Sequence, residues 1–268
     1  AEATAQVAKA LLRVTLIRND GSEVTASCIL GLSYRIENGD TYTVYTPQGL
    51  LAWASKSDDY NCTLAADIDM SGQTWPRIMG FDRTFDGAGH TIRNLTCSST
   101  MDAGFLLDLS GGTVKNLLLV NATISGYGNV GGIVGRLLNG TVIACAVSGC
   151  KVSGNMDIGG IAGGSDGTVT ACYAASCSVT ATESYAGQIA GIVNGSINAC
   201  YYDGDGNGIG LSNTGTSATR VDNVNGWQAA AQDMNSQLAG NDYIWAVNPD
   251  EEARASLPLV LVPNPAVQ

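Results

Sequence analysis

The sequence predicts an all-β fold, a single-stranded parallel β-helix of about six coils with short helical caps, from three observations. Two phrases recur along the chain at steps of 27 or 28 residues. Val and Thr alternate with small residues in runs of about four to six, which favours strands over helices. The 34 glycines supply Asn-Gly, Asp-Gly and Gly-Gly turns between these runs. Units this short cannot bury their own apolar faces, so they must stack as a solenoid.

The first recurring phrase carries a branched or aliphatic residue that anchors each copy. It reads NGTVIACAVSGC at residues 139–150 and recurs twice downstream, with related phrases upstream. Equal spacing predicts that the anchors lie above one another in consecutive coils. The anchors, in chain order, are Leu64, Ile92, Val114, Val142, Val169 and Ile197.

The second recurring phrase is rich in glycine. It reads AGFLLDL, GGIVGRL, GGIAGGS and GQIAGIV, and the copies begin at residues 103, 131, 159 and 187, which are 28 apart. Three short strands per coil, with coils about 4.8 Å apart, would account for a repeat of this length. No copy leads from a strand into a helix or carries a P-loop lysine, so the glycines indicate turns and close packing rather than phosphate binding.

The segments that flank the repeats predict caps, because an uncovered solenoid end exposes unpaired strand edges. TPQGLLAWASKSD (46–58) predicts a short helix whose Leu50, Leu51 and Trp53 plug the first coil. NVNGWQAAAQDMNSQLAG (223–240) predicts a second helix with an apolar stripe, and two apolar strands follow it.

The chain therefore divides into three parts. Residues 1–45 predict a small β-meander, either a cap or the remnant of a preceding domain. Residues 46–215 contain the coils. Residues 216–268 contain the C-terminal helix and strands, which predict a second cap.

Five of the eight cysteines stand at two fixed positions of the repeat. Stacking would place the members of each column at intervals of about 4.8 Å, pointing the same way. Four thiolates then do not converge on one metal ion, and parallel Cβ vectors fit a disulfide poorly. Buried free thiols that pack as small apolar side chains are the favoured interpretation, with a disulfide or a metal site as alternatives. The first column contains Cys145, Cys172 and Cys200, preceded by Leu95 and Leu117; the second contains Cys150 and Cys177; Cys28, Cys62 and Cys97 lie outside both, and their redox state is left open.

One acidic loop has the spacing of half a calcium loop. YDGDGNGIG (202–210) places Asp203, Asp205 and Asn207 at alternate positions. A complete loop carries an acidic ligand at its twelfth position, where Thr214 stands in this chain. The three side chains are calcium candidates, and a solvated loop leaving the last coil is the favoured interpretation.

No set of catalytic residues stands out, and we predict no catalytic or cofactor-binding site. His90 is the sole histidine and lies beside Asp86 in DGAGH, where a turn is the favoured interpretation. Parallel β-helices also include polysaccharide lyases and hydrolases, which cluster charged groups on adjacent coils. Acidic residues such as Asp157, Asp166 and Glu183 are scattered over the coils, and none repeats at one offset in consecutive coils.

Several phrases resemble those of a known family. YTVYTPQGLLAWA, CTLAADIDMSGQTWPRIMG and FDGAGHTIRNL, followed by GGIVG-type phrases, resemble bacterial surface proteins that carry GLUG repeats. The resemblance covers about residues 42–205, and the ending WQAAAQDMN…LPLV is also similar. It implies a right-handed parallel β-helix exported to the cell surface, with an adhesive or unassigned function and no catalytic motif. The right-handed bias of parallel crossovers agrees with that hand.

Charge narrows the predicted partners. A formal charge of −11 would repel nucleic acid and anionic lipid, and no apolar run approaches the roughly 18 residues of a membrane helix. We predict a non-enzymatic module, extracellular or on a bacterial surface, that contacts a glycan or a matrix protein or serves as a rigid spacer. The alternative is a carbohydrate-active β-helix enzyme, either a polysaccharide lyase or a glycoside hydrolase.

Overall fold

The N-terminal part of the protein leads directly into a stack of short strands. The computed structural model describes residues 7–17, 23–33 and 35–267, with side chains described from residue 39 to residue 267. The N-terminal elements are β1 (Val7–Ile17), β2 (Glu23–Ser33), β3 (Arg35–Asn38), β4 (Thr41–Val44) and α1 (Pro47–Ala54). Strands β1 and β2 form an antiparallel hairpin, and β3 pairs antiparallel with β4.

The solenoid strands follow, and few exceed four residues. Those of the first two coils are β5 (Asn61–Leu64), β6 (Ile68–Asp69), β7 (Thr84–Asp86), β8 (Thr91–Arg93), β9 (Thr96–Ser98), β10 (Leu106–Ser110), β11 (Thr113–Lys115), β12 (Leu118–Val120), β13 (Thr123–Ser125) and β14 (Val130–Gly131). Those of the later coils are β15 (Val134–Leu138), β16 (Thr141–Ile143), β17 (Ala146–Ser148), β18 (Lys151–Gly154), β19 (Ile158–Gly159), β20 (Ala162–Ser165), β21 (Thr168–Thr170), β22 (Tyr173–Ala175), β23 (Ser178–Ala181), β24 (Ala186–Gly187), β25 (Ala190–Val193), β26 (Ser196–Asn198), β27 (Tyr201–Tyr202), β28 (Ile209–Ser212) and β29 (Thr219–Arg220).

A helix and two strands close the chain. These elements are α2 (Val224–Ser236), β30 (Tyr243–Val247), a 3₁₀ turn (Ala253–Ala255) and β31 (Leu259–Pro263). Strands β30 and β31 pair antiparallel. We call residues 223–267 the C-terminal segment.

Five sheets run along the solenoid, numbered here in the order in which a coil visits them. Sheet 1 is β10-β15-β20-β25-β28, sheet 2 is β3-β4-β5-β7-β11-β16-β21-β26, sheet 3 is β6-β8-β12-β17-β22-β27-β29, sheet 4 is β9-β13-β18-β23 and sheet 5 is β14-β19-β24. Apart from β3, all their pairings are parallel. The predicted parallel β-solenoid is therefore confirmed, with about five turns rather than six. A full coil holds five strands rather than the predicted three.

Corner residues with left-handed backbone angles explain the extra strands. The turns from sheet 2 to sheet 3 use Asn116, Ala144, Ala171 and Ala199, all with φ between 46° and 54°. Asn and Gly tolerate this conformation more readily than Ala does, so the alanines gave no turn signal in the sequence. The turns from sheet 3 to sheet 4 use Asn94, Asn121, Gly149 and Ser176.

The predicted register is confirmed for the later coils. Val114, Val142 and Val169 lie side by side in sheet 2, at the predicted steps of 28 and 27 residues. Leu106 and Val134 of the glycine-rich phrase are likewise paired in sheet 1.

The register predicted for the first coils is wrong. Val114 pairs with Phe85, whereas Ile92 lies in sheet 3 opposite Leu119. Leu64 is displaced as well, because Phe85 pairs with Cys62 instead. The first coil carries an irregular excursion between β6 and β7 and an extra turn at residues 87–90, so equal spacing no longer identifies equivalent positions.

Both cysteine columns are present, and the thiols are free. Each first-column thiol donates to a carbonyl two residues earlier, at 3.2–3.4 Å. Leu117 precedes them in the first column as predicted, but Leu95 occupies the second. Backbone bonds from Thr123 to Leu95 and from Ser178 to Cys150 fix that position. Cys62 and Cys97 are also free and buried, whereas the side chain of Cys28 lies outside the described residues.

Helix α1 plugs the first coil, as predicted. Thr46 caps its N-terminus by accepting a hydrogen bond from the backbone N–H of Gly49. The Trp53 side chain is fully buried, with its ring 5.6 Å from that of Phe81 and 5.0 Å from that of Phe85. The Trp75 indole donates to the carbonyl of Phe105 at 2.7 Å.

The C-terminal segment covers a flank of the solenoid rather than its end. Sheet 3 is apolar on both faces, because strands such as LLV and YAA do not alternate with polar residues. Trp227, Met234 and Trp245 bury themselves against its outer face. The predicted helix and strands form, but the apolar flank determines where they pack.

Thr216 covers one strand at the end of the last coil. Its hydroxyl accepts from the N–H of Ile197 at 3.1 Å and donates to the carbonyl of the same residue at 2.6 Å. The end strand of sheet 2 thus bonds a side chain where another coil would stand. Among the described residues, no helix has the length and apolar character to cross a membrane.

Candidate functional site

Large side chains stand exposed at the turn between sheets 4 and 5 on four consecutive coils. Met101, Tyr127, Met156 and Tyr185 are 59%, 51%, 42% and 40% exposed. They account for half of the large exposed apolar side chains in the described part of the chain. We call this row, together with Asp102, Asn129 and Asp157 beside it, the corner surface.

Strand pairing fixes the order of the row. Val130 pairs with Ile158 and bridges to Ala103, so Met101 and Met156 share one position, two coils apart. Backbone bonds tie the turns together, including one from Tyr127 N–H to Met101 O at 2.7 Å. With coils about 4.8 Å apart, the row is about 14 Å long.

Two carboxylates occupy the next position along the same turn. Asp102 and Asp157 lie two coils apart with Asn129 between them, so their Cα atoms are about 10 Å apart. The Asp102 Oδ1 atom accepts from the backbone N–H of Asn129 at 2.7 Å. Its Oδ2 atom lies 3.2 Å from Nε of Arg136.

Arg136 links the corner surface to the interior. Its Nε atom donates to Oδ1 of Asp108 at 2.7 Å, and the Asp108 side chain is nearly buried. This hydrogen bond is the main reason that the pKa of Arg136 is raised, with the charges of Asp108 and Asp102 adding to it. The arginine therefore keeps a positive charge beside Asp102.

Asp157 has a different environment from Asp102. Partial burial raises the pKa of Asp157, and the negative charge of Asp102 raises it further. A hydrogen bond from Ser184 acts in the opposite direction and lowers the pKa of Asp157. The surface thus holds one arginine-paired carboxylate and one that favours its protonated form.

Glycine is required where the turn passes Asp102. A Cβ atom on Gly128 would overlap Oδ1 of Asp102. Gly128 shares its position with Met101 and Met156, where the longer side chains point outward into solvent. Its missing side chain therefore leaves room for the carboxylate that bonds Asn129.

The calcium candidates lie together in the turn between β27 and β28. Asp203 Oδ1 accepts from the backbone N–H of Ser176 at 2.7 Å, and burial raises the pKa of Asp203. The Asp205 side chain is fully exposed and lies 3.5 Å from Arg220, while Asn207 is exposed without a printed side-chain bond. Both carboxylates already have protein partners. Calcium binding by Asp203, Asp205 and Asn207 stays a prediction.

His90 is not paired with Asp86. Its Nδ1 atom lies 3.4 Å from Asp67, which also bonds Arg93 at 3.1 Å. Asp86 instead pairs with Lys115 at 3.1 Å. Between residues 39 and 267, no three His, Cys, Asp or Glu side chains converge as a metal-binding group.

The sequence did not single out the corner surface. Its signal is a large side chain just before each glycine-rich phrase, as in TMDAG, GYGN, GNMD and ESYAG. The phrases are 28 residues apart, but Ala103 bridges to Val130 at a step of 27. Aligning the phrases would have set Asp102 against Val130, so the shared position of Asp102 and Asp157 could not be recognised.

Comparison with known proteins gives two similarities and no family. No known family matches this chain. It is 35% identical over 159 residues to halomucin of Haloquadratum walsbyi, a match that covers 50% of this chain and 2% of halomucin. The crystal structure of a "putative immunoglobulin A1 protease" from Bacteroides ovatus superposes with a TM-score of 0.57 and 25% identity. That match covers 69% of this chain and 65% of the other, so the chain spans less than two thirds of either protein.

Proposed function

We propose that this chain is an exported β-solenoid module that binds a glycan at the corner surface. The observation that carries the proposal is the row of exposed tyrosine and methionine side chains on four consecutive coils, flanked by carboxylate and amide groups. Isolated exposed apolar residues are common, but a row about 14 Å long at one turn is a typical interaction surface.

The chemistry of the row suits a sugar chain. A tyrosine ring offers an apolar face for the C–H groups of a pyranose and a hydroxyl at its tip. Tyr127 and Tyr185 lie two coils apart, about 10 Å, which suits contacts with successive sugar units. The Asn155 amide donates to Glu183 at 2.8 Å beside them, and this pair can exchange hydrogen bonds with sugar hydroxyls.

Export is supported by resemblance. The GLUG-type phrases are typical of bacterial surface proteins, and the names of the two similar proteins refer to a mucin and to cleavage of an immunoglobulin. Immunoglobulins act outside cells. These names and phrases support an extracellular or surface location, in which an adhesive module would meet glycans.

Glycan arrays followed by calorimetry test the proposal. Y127A and Y185A should each weaken binding at least tenfold, because each removes a ring from the row. Y45A is the matched control, since Tyr45 is 37% exposed but lies beside α1. Equal losses for all three variants, or no binding by the unmodified protein, would contradict glycan binding; complete silence on arrays would favour a rigid spacer.

One observation favours a second candidate, a glycoside hydrolase. The raised pKa of Asp157 beside Asp102 is the pattern of a general acid paired with a base. Asp157 would protonate the glycosidic oxygen, and Asp102 would take a proton from the attacking water. Carboxylates about 6.5–9.5 Å apart are typical of inverting enzymes.

Turnover distinguishes the two candidates. If the chain is a hydrolase, it depolymerises the glycan that it binds, and D157N abolishes cleavage while binding is retained. Binding without cleavage under acidic and neutral conditions would reject the hydrolase and leave the adhesive module.

A further inference from the structure

Sheet 4 stops one coil before its neighbours. Sheets 1, 2 and 3 continue to β28, β26 and β27, whereas sheet 4 ends at β23. In the preceding coil, residues 176–189 connect sheet 3 to sheet 1 and contain β23 and β24. In the last coil, residues 203–208 make the same connection directly. The chain therefore leaves out the strand that would lie on β23.

The outer edge of β23 keeps unpaired backbone groups. In a parallel ladder, alternate residues direct their N–H and C=O groups to opposite neighbours. Ser178 donates to Cys150 of the previous coil, so the groups of Val179 point away from β18. Along that side of β23 the structure, as described, places no strand.

The apolar column beneath sheet 4 is also open there. Ile124 and Val152 occupy the inward position in earlier coils and are fully buried. Val179 continues the same column but is partly exposed, although it packs against the core. A side chain from one more strand would cover it.

A cleft runs along this edge. Cys177, Val179, Thr180, Gln188 and Asp205 line a space of ≈ 280 Å³. It adjoins a larger space of ≈ 520 Å³, which shares Cys177 and Asp205 as lining residues. The cleft thus extends beyond the start of β23.

A buried acceptor on the cleft wall has no partner. The Gln188 side chain is 5% exposed, and its Nε2 atom donates to the carbonyl of Asp205 at 2.8 Å. Its Oε1 atom accepts no hydrogen bond from any described residue. Leaving a buried acceptor unpaired costs about 1–3 kcal/mol, so a donor entering the cleft would be favoured.

We propose that an extended segment of a partner protein adds to β23 as the missing strand of sheet 4. Adding a strand to a free sheet edge is an established mode of peptide recognition. The register defines the chemistry of the segment: a β-branched apolar residue above Val179, between two small polar or basic residues. The existing strands TIS, KVSG and SVTA show this pattern. An acidic segment is disfavoured by the net charge of −11.

A peptide copied from β18 tests the proposal on the full chain. The probe is fluorescein-labelled SGSKVSGNM, the sequence of residues 148–156 with serine replacing Cys150. Ladder geometry predicts that its Lys and second-last Ser amides donate to the carbonyls of Cys177 and Val179, while the Val amide points outward. Saturable binding in fluorescence anisotropy is expected.

Methylated peptides supply the matched controls. N-methylation of the Lys amide, or of the Ser amide that follows Val, should weaken binding at least tenfold, because each removes a ladder donor. N-methylation of the Val amide should leave binding within about twofold. No binding by the parent peptide, or equal effects of the three methyl groups, would overturn the proposal.

Sedimentation measurements identify the source of the strand. A monomer that binds the peptide supports a strand from another protein. A concentration-dependent dimer that the peptide dissociates would overturn that assignment, because a second copy would then be the natural occupant.

Discussion

The indole nitrogen of Trp245 donates a 2.8 Å hydrogen bond to the carbonyl oxygen of Ala171. This bond joins the C-terminal segment to the middle of sheet 3. The Tyr173 hydroxyl makes a second link by donating to the carbonyl of Leu259, and its ring lies 5.0 Å from that of Trp245. The flank of the solenoid and the end of the chain are therefore one packed unit.

W245F should reduce the free energy of unfolding by about 1–3 kcal/mol more than W227F does, because it leaves the buried Ala171 carbonyl unpaired. Both tryptophans are buried in the same cluster, and both variants lose ring volume. Trp227, as the structure describes it, makes no indole hydrogen bond, so W227F is the matched control. Urea unfolding measures the difference, and equal losses would contradict the role of the bond.

G160A should destabilise the protein by about 1–3 kcal/mol or more, since overpacking a close backbone contact forces the coils apart. A Cβ atom on Gly160 would overlap the carbonyl oxygen of Gln188 in the next coil. G226A is the control, because Gly226 lies in α2 and its added methyl group would meet only the flexible side chain of Val221. Thermal unfolding should separate the two variants; similar midpoints would refute the close approach.

Thiol chemistry should show free but protected cysteines. In C28S, the seven other cysteines should react with Ellman's reagent in denaturant without reductant. In the folded protein, Cys172 and Cys200 should react far more slowly, because burial raises the pKa of both thiols. Fewer than seven thiols in denaturant would reveal a disulfide and contradict the packing of the columns.

Acid should weaken the first coil through Asp69. Hydrogen bonds from Ser71 and Asn94 lower the pKa of Asp69 to about 2. The unfolded chain binds the proton more readily than the folded chain, so the stability from this group is present above pH of about 4 and lost as the pH falls towards 2. D69N should flatten the fall in unfolding free energy over that range, measured by urea titration at each pH. An unchanged slope would contradict this assignment.

The corner surface shows where sequence reasoning stopped. Tyr127 and Tyr185 were visible as residues near the glycine-rich phrases, but nothing local marks a side chain as exposed. Asp102 and Asp157 share a position because one residue is dropped between Ala103 and Val130, relative to the phrases around them. A single-residue slip moves a side chain to another face of the coil. The pairing of strands settles it, and the repeat does not.

The sequence by itself determined the parallel stack, its register after the first coil and the free thiol columns. Each coil contacts mainly its neighbours, so a period in the sequence translates directly into a position in space. Only the tertiary structure decided that the C-terminal segment covers sheet 3, that Leu95 belongs to the second column and that sheet 4 ends early at β23. These features depend on which surfaces lie together across many coils. Segments outside the repeat have no period to specify their contacts, so packing of apolar surface determines where they lie.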